Sequence, residues 1–180
     1  HIGSQLTDVA PFRDALARVR GLVLELRARG FEIRHLDFGG GLGITYDDET
    51  PPDPKDYAAA LLTDGIDKLG VKLLLEPGRV LVGNAGILLT RVLYLKDTET
   101  KKFVIVDGAM NDLIRPALYG AYQEIEPVVR SARPPAVVDV VGPVCESGDF
   151  FAKDRGLPET LPGELLAVRS AGAYGFVMSS

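Results

Sequence analysis

The sequence predicts an α/β segment up to about residue 82, followed by a mainly β segment. Three observations carry this reading. Helical and strand patterns alternate through the first half, with turns so short that the strands must be parallel. Helical periodicity is largely lost after Arg79. The apolar runs beyond it are short, β-branched or aliphatic, and separated by proline- and glycine-bearing loops.

Thr7 or Asp8 can cap a first helix, Pro11 suits its first turn, and Gly30 can end it. Within it Phe12, Leu16, Val19, Val23 and Leu26 recur at three- and four-residue steps, giving one apolar face. Phe31 to Phe38 reads as a strand, followed at once by Gly39-Gly40-Gly41-Leu42-Gly43. A proline-rich loop from Asp47 to Pro54 leads to a second helix, about Lys55 to Leu69, closed by Gly70. Lys72 to Leu75 is an apolar strand ended by Glu76-Pro77-Gly78-Arg79. Beyond this, Ile87 to Leu95 and Phe103 to Val106 flank the polar stretch Lys96 to Lys102 as a hairpin. Ala136 to Val141 and Leu165 to Val168 are further strands. There is no internal repeat and no low-complexity tract.

With 46% hydrophobic and 25% charged residues in 180, the composition is that of an ordinary soluble domain. A net charge of −5 gives no footprint for nucleic acid or an anionic membrane. No stretch reaches the roughly 18–20 apolar residues of a membrane span. The opening HIGSQLTD is neither a signal nor a transit peptide. The single cysteine, Cys145, excludes an internal disulfide and suits a reducing compartment, so the cytoplasm is the expected location. The chain lacks an initiator methionine and stops at AGAYGFVMSS without a closing helix or charged tail. The expectation is a piece of a longer polypeptide.

Several motifs carry chemistry. The Gly39–Gly43 run follows a strand, where backbone N–H groups can close on an anion, although a tight turn fits equally well. It is not a dinucleotide fingerprint, because Ile44 stands where the third glycine belongs, and no Gly-Lys-Ser/Thr follows. Glu76 and Arg79 lie at the C-terminal end of a strand, where α/β barrels place functional groups. The glutamate can bind a protonated ring nitrogen and the arginine a carboxylate, or the two can simply pair. His1 can stack on a flat ring and Ser4 donate to phosphate. His35 is read as structural or surface. A strand ending near Val106 leads into a loop with Arg115 and Tyr119. Gly142-Pro143-Val144-Cys145-Glu146-Ser147-Gly148-Asp149 places the only thiol beside a carboxylate, accessible and able to deliver a proton. Ala171-Gly172-Ala173-Tyr174-Gly175 leaves room for a ligand against the tyrosine ring. No metal site is expected.

In this order, HIGSQ, GGGLGI, EPGR, GAMNDLIRPALYGA, GPVCESGD and AGAYG resemble the alanine-racemase-type (fold type III) PLP-dependent decarboxylases. Within that family they are most similar to the members acting on diaminopimelate. The likeness runs essentially the whole length. It implies the second part of a PLP-binding (β/α)8 barrel over residues 1–82, followed by a β-rich C-terminal domain over 83–180, both incomplete here. It also implies a homodimer with shared active sites.

By that resemblance His1 stacks on the pyridine ring, and Ser4, Gly39, Gly40 and Gly41 hold the phosphate. Glu76 binds the pyridine nitrogen, and Gly78 and Arg79 lie at the phosphate, Arg79 also reaching substrate. Arg115 and Tyr119 take the distal carboxylate end of the substrate. Cys145 is the proton donor in the neighbouring subunit's site, Glu146 binds the distal ammonium, and Tyr174 touches cofactor and substrate. The implied reaction converts meso-2,6-diaminopimelate to L-lysine and CO2. Alternatives are decarboxylation of ornithine, arginine or carboxynorspermidine, or a non-catalytic relative that binds a partner. The cationic Arg79 and Arg115 with anionic Glu146 supply the charges that an amino-acid group at the substrate's far end needs. The departure is the Schiff-base lysine. Lys55, Lys68, Lys72, Lys96, Lys101, Lys102 and Lys153 lie in no matching motif, so that lysine is expected in a segment before HIGSQ. Alone, a barrel cut this way leaves strand edges and apolar faces uncovered, and is expected neither to fold stably nor to decarboxylate.

Overall fold

A computed structural model of the chain describes residues 1–62 and 65–180. It falls into two compact units, His1–Leu81 and Val82–Ser180.

In the first unit the expected helix is α1, Ala10–Ala28. Asp8 Oδ1 accepts the Ala10 N–H at 2.9 Å, and Pro11 occupies the first turn. Phe12, Leu16 and Val23 are buried on the apolar face, as the spacing predicts. Gly30, at a φ of +90°, ends the helix by donating to the Arg27 carbonyl at 2.9 Å.

The strand expected over Phe31–Phe38 is shorter. Only His35–Asp37 forms β1, pairing in parallel with β2, Lys72–Leu74. Upstream, the Arg27 guanidinium takes the Ile33 carbonyl at 2.8 Å and the Leu69 carbonyl at 2.7 Å, so side-chain bonds replace the ladder. His35 is exposed.

The second helix also ends early. α2 covers Pro54–Leu61, capped by Asp53 Oδ1 accepting from the Lys55 N–H at 2.7 Å. The expected run to Leu69 crosses Thr63 and Asp64, which lie outside the described residues. Beyond them Gly65, at a φ of +80°, leaves the helical region, and only a 3-10 turn follows at Asp67–Leu69. Phe12 meets Tyr57 edge-on, ring centroids 4.8 Å apart, binding α1 to α2. A helical turn, α3 (Arg79–Val82), lies at the boundary of the units.

The second unit is built on six strands. These are β3 (Leu88–Asp97), β4 (Lys102–Val106), β5 (Ile125–Pro127), β6 (Pro135–Val141), β7 (Phe150–Pro158) and β8 (Leu165–Val168). Their order in the sheet is β5-β8-β3-β4-β6-β7. All neighbours are antiparallel except β4 and β6. The edge strands β5 and β7 touch, so the sheet nearly closes on itself. Its interior is aliphatic and aromatic: Val92, Val106, Val140, Phe151, Leu166 and Val168 are at most 1% exposed. Each such side chain stabilises the unit by about 1.5–3 kcal/mol relative to exposure.

The hairpin β3–β4 forms where expected, with Thr98 Oγ1 accepting the Lys101 N–H at 2.9 Å. Two strands were not legible in the sequence. β5 has three residues, and β7 carries Lys153, Asp154, Arg155 and Gly156 where alternation would be sought. The loop expected around Arg115 and Tyr119 is instead a short helix, α4 (Arg115–Tyr119). Pro116 stands in its first turn, and Gly120, at a φ of +60°, ends it.

Candidate active site

The candidate residues of the first unit converge on the glycine loop. β1 delivers the chain into Gly39–Gly41 and β2 delivers it into Glu76–Arg79, so parallel pairing sets the two loops side by side at the same strand ends. The Glu76 N–H donates to the Gly39 carbonyl at 2.8 Å. His1–Gln5 joins from a third side through a parallel bridge between Leu6 and Leu42. Gln5 fixes this join, donating to the Ile44 carbonyl at 2.6 Å and accepting the Ile44 N–H at 3.1 Å.

Each glycine permits one close approach. A Cβ on Gly39 would lie 2.8 Å from His1 Cβ, one on Gly40 would run into the Glu76 carbonyl, and one on Gly41 into the Gly3 carbonyl. Three motifs distant in sequence therefore share one turn of backbone. The Gly39 N–H is already used, donating to Asp37 Oδ1 at 2.8 Å. Among the described residues, the Gly40 and Gly41 N–H groups make no hydrogen bond, so they, rather than Gly39, can serve an anion.

Arg79 Nη2 donates to Ser4 Oγ at 2.9 Å. A second guanidinium nitrogen donates to the Tyr46 hydroxyl, and the cation lies 5.6 Å from the Tyr46 ring centroid. These contacts set the Arg79 guanidinium against Ser4 and Tyr46. His1, Ser4, Glu76 and Gly78 are exposed. Gln5 and Tyr46 were not singled out from the sequence. A glutamine or tyrosine has no periodic signature, and only the fold shows Tyr46 buried beside Arg79.

The second unit carries the other candidates. Arg115, 8% exposed, opens α4, and Tyr119, one turn later, is 64% exposed. Cys145 is exposed, in the loop joining β6 to β7. Glu146 Oε1 accepts the Gly148 N–H at 3.1 Å within the same loop. Tyr174 follows β8 with a φ of +57°, a left-handed conformation uncommon for a bulky side chain. The Ala171 and Gly172 amides are tied to the Gly86 and Gly83 carbonyls at 2.9 and 3.0 Å, which holds this turn against the start of β3. No helix among the described residues is long and apolar enough to cross a membrane.

A site with this geometry can bind a compact dianion at Gly40, Gly41, Ser4 and Arg79, with a carboxylate at Glu76 on the same rim. Residues 12–172 match the profile of the pyridoxal-dependent decarboxylase C-terminal sheet domain. The chain belongs to the pyridoxal-dependent decarboxylases. As a member of that family it is 58% identical over its full length to a diaminopimelate decarboxylase of Pseudomonas aeruginosa, of which it covers 43%. A crystal structure of Helicobacter pylori diaminopimelate decarboxylase complexed with L-lysine superposes with a TM-score of 0.93. It is 44% identical, covering all of this chain and 44% of that one. A structure described as SrLDC in complex with PLP and cadaverine gives a TM-score of 0.88 at 25% identity. The chain thus spans less than half the length of these relatives.

Proposed function

We propose that the chain is the C-terminal portion of a cytoplasmic PLP-dependent lyase that decarboxylates meso-2,6-diaminopimelate to L-lysine and CO2. The observation that carries this reading is the meeting of HIGSQ, GGGLGI and EPGR at one loop, in a chain 58% identical throughout to a diaminopimelate decarboxylase.

The residues fit the cofactor. Two amides, a hydroxyl and a guanidinium suit a phosphate, and an exposed carboxylate on the same rim suits a protonated pyridine nitrogen. In this assignment Gly40, Gly41, Ser4, Gly78 and Arg79 hold the phosphate, with Gly39 shaping the loop. His1 would stack on the ring, Tyr174 would touch it, and Glu76 would keep its nitrogen charged. When bound, PLP supplies an electron sink for the bond-breaking step. The protein's own groups do the rest. Arg115 and Tyr119 bind the distal carboxylate and Glu146 the distal ammonium, which orients the other end of the substrate for reaction. Cys145 Sγ holds the proton delivered to the α-carbon after CO2 leaves. Cys145 and Glu146 serve the site of a second copy in a homodimer, and the lysine that holds PLP belongs to a preceding segment.

The test uses the full-length protein. Reduced with borohydride and peptide-mapped, it should carry a pyridoxyl group on a lysine outside these 180 residues. Offered meso-diaminopimelate, ornithine, arginine and carboxynorspermidine separately, it should release CO2 from the first by a wide margin. A preference for ornithine or arginine would move the protein to the sister activities. No release at all, with no adduct, would leave a binding homologue.

A further inference from the structure

We infer that Asp149 is a positioning residue that fixes the Cys145–Glu146 loop to the loop leading into Arg115. Asp149 is an ionisable residue only 4% exposed. Each carboxylate oxygen serves a different loop. Oδ1 accepts the Met110 N–H at 2.7 Å, in the segment between β4 and α4. Oδ2 accepts the Val144 N–H at 2.7 Å, one residue before Cys145.

The same residue also closes its own loop through the backbone. The Gly142 N–H donates to the Asp149 carbonyl at 3.2 Å, and the Asp149 N–H donates to the Glu146 carbonyl at 3.0 Å. Gly142 is glycine for a reason visible here, since a Cβ on it would overlap all three carboxylate atoms. The loop is therefore built around this carboxylate.

An aspartate is required rather than an amide. Two N–H donors converge on the group, and a carboxylate offers an acceptor to each. Asparagine would accept from one and turn an NH2 group toward the other, leaving two buried donors face to face. Releasing either loop would let Cys145 and Glu146 shift within the copy that carries them, and so move them in the second copy's site that they serve. A misplacement of about 1 Å can cost about a hundredfold in rate.

This inference rests on the decarboxylase reading of Cys145, Glu146 and Arg115. The experiment compares wild-type, Asp149→Asn and Gly142→Ala in the full-length, PLP-loaded protein. Gly142→Ala displaces the same carboxylate without changing its charge. We expect both variants to keep bound PLP, to lose about a hundredfold in kcat and to raise KM several-fold. Peptide-mapped alkylation of Cys145 by a small maleimide should change rate by several-fold. A merely structural role would reduce the active fraction and leave KM and the Cys145 rate as they were, which overturns the inference. The alkylation arm stands even if the protein decarboxylates nothing, so the two readings fail separately. If both variants unfold, hydrogen exchange on wild-type protein decides. Slow exchange at Met110 and Val144, with fast exchange at Cys145, supports the clamp; loop-like exchange at both removes it.

Discussion

Arg79 and Ser4, seventy-five residues apart, are joined by a 2.9 Å hydrogen bond from Nη2 to Oγ. The bond does more than connect two motifs. It holds a cation and a hydroxyl at the mouth of the same glycine loop, so both are in place before an anion arrives.

From this pairing follows the first prediction, for the full-length protein. Ser4→Ala removes one neutral donor and should weaken PLP binding several-fold, corresponding to about 1 kcal/mol. Arg79→Ala removes a charge-assisted contact of about 1.5–3 kcal/mol and should weaken it by roughly ten- to a hundredfold. Titration of the apoprotein with PLP, followed by absorbance, measures both. Equal, small effects would place the phosphate elsewhere.

Gly40→Ala tests the cradle itself. Its Cβ would press on the Glu76 carbonyl, a backbone atom that cannot swing away. The expected cost is about 1–3 kcal/mol of stability, with PLP affinity falling alongside. Gly78→Ala is the comparison, because a Cβ there meets nothing within 4 Å. Its denaturation midpoint should stay close to wild type, and a parallel drop would mean that close approach is not what Gly40 provides.

Cys145 and Arg115 separate chemistry from recognition. Cys145→Ala should lower kcat by about 10²–10⁴-fold while leaving the PLP absorbance in place, as loss of a proton donor does. Arg115→Ala should raise KM more than it disturbs PLP binding. An unchanged kcat in the first would remove the proton-donor role; loss of cofactor in the second would mean Arg115 serves the cofactor or the fold.

The sequence made some of this legible and left the rest obscure for physical reasons. The face of α1 and the core strands β3, β4, β6 and β8 follow from periodicity, because burial on one side imposes it. β7 does not, since Asp139 and Asp154 create a bulge in the middle of its pairing and interrupt the alternation. α2 stops at Leu61, short of the apolar pattern, because its end is set by the backbone conformation at the C-cap Leu62, which side-chain periodicity does not register. In the site, glycines and charged residues at strand ends were visible as types in order. Their convergence was not, since it depends on the β1–β2 register. Nor was the use of the Gly39 N–H by Asp37, a local side-chain-to-backbone bond two residues apart that depends on the turn's backbone conformation. Asp149 could be read only as the end of a motif.

The last prediction concerns acid stability and the Lys101–Asp139 pair. Lys101 Nζ lies 2.7 Å from Asp139 Oδ2, and Asp139 Oδ1 accepts the Asp154 N–H at 2.7 Å, where Asp154 adopts a φ of +49°. Burial works against the Asp139 carboxylate, but hydrogen bonds from Lys101 and the Asp154 backbone outweigh it and hold the group below its ordinary 3.8. A carboxyl depressed in this way stabilises the fold above its unfolded value, and that contribution fades as pH falls through the lower folded value. Lys101 is raised above 10.5, chiefly by its hydrogen bond to Asp139, so its share persists through neutrality and is lost only in strong alkali. Asp139→Ala should therefore cost about 0.5–1.5 kcal/mol per lost hydrogen bond near pH 7, because it removes the acceptor of both the Lys101 ammonium and the Asp154 amide. Lys101→Met should cost less, since solvent screens the exposed ammonium. The gap between Asp139→Ala and wild type in urea midpoint should narrow below the ordinary carboxylate value, where the native carboxyl also loses its charge. A gap that stays constant into acid would assign the loss to packing rather than to the ionised carboxylate.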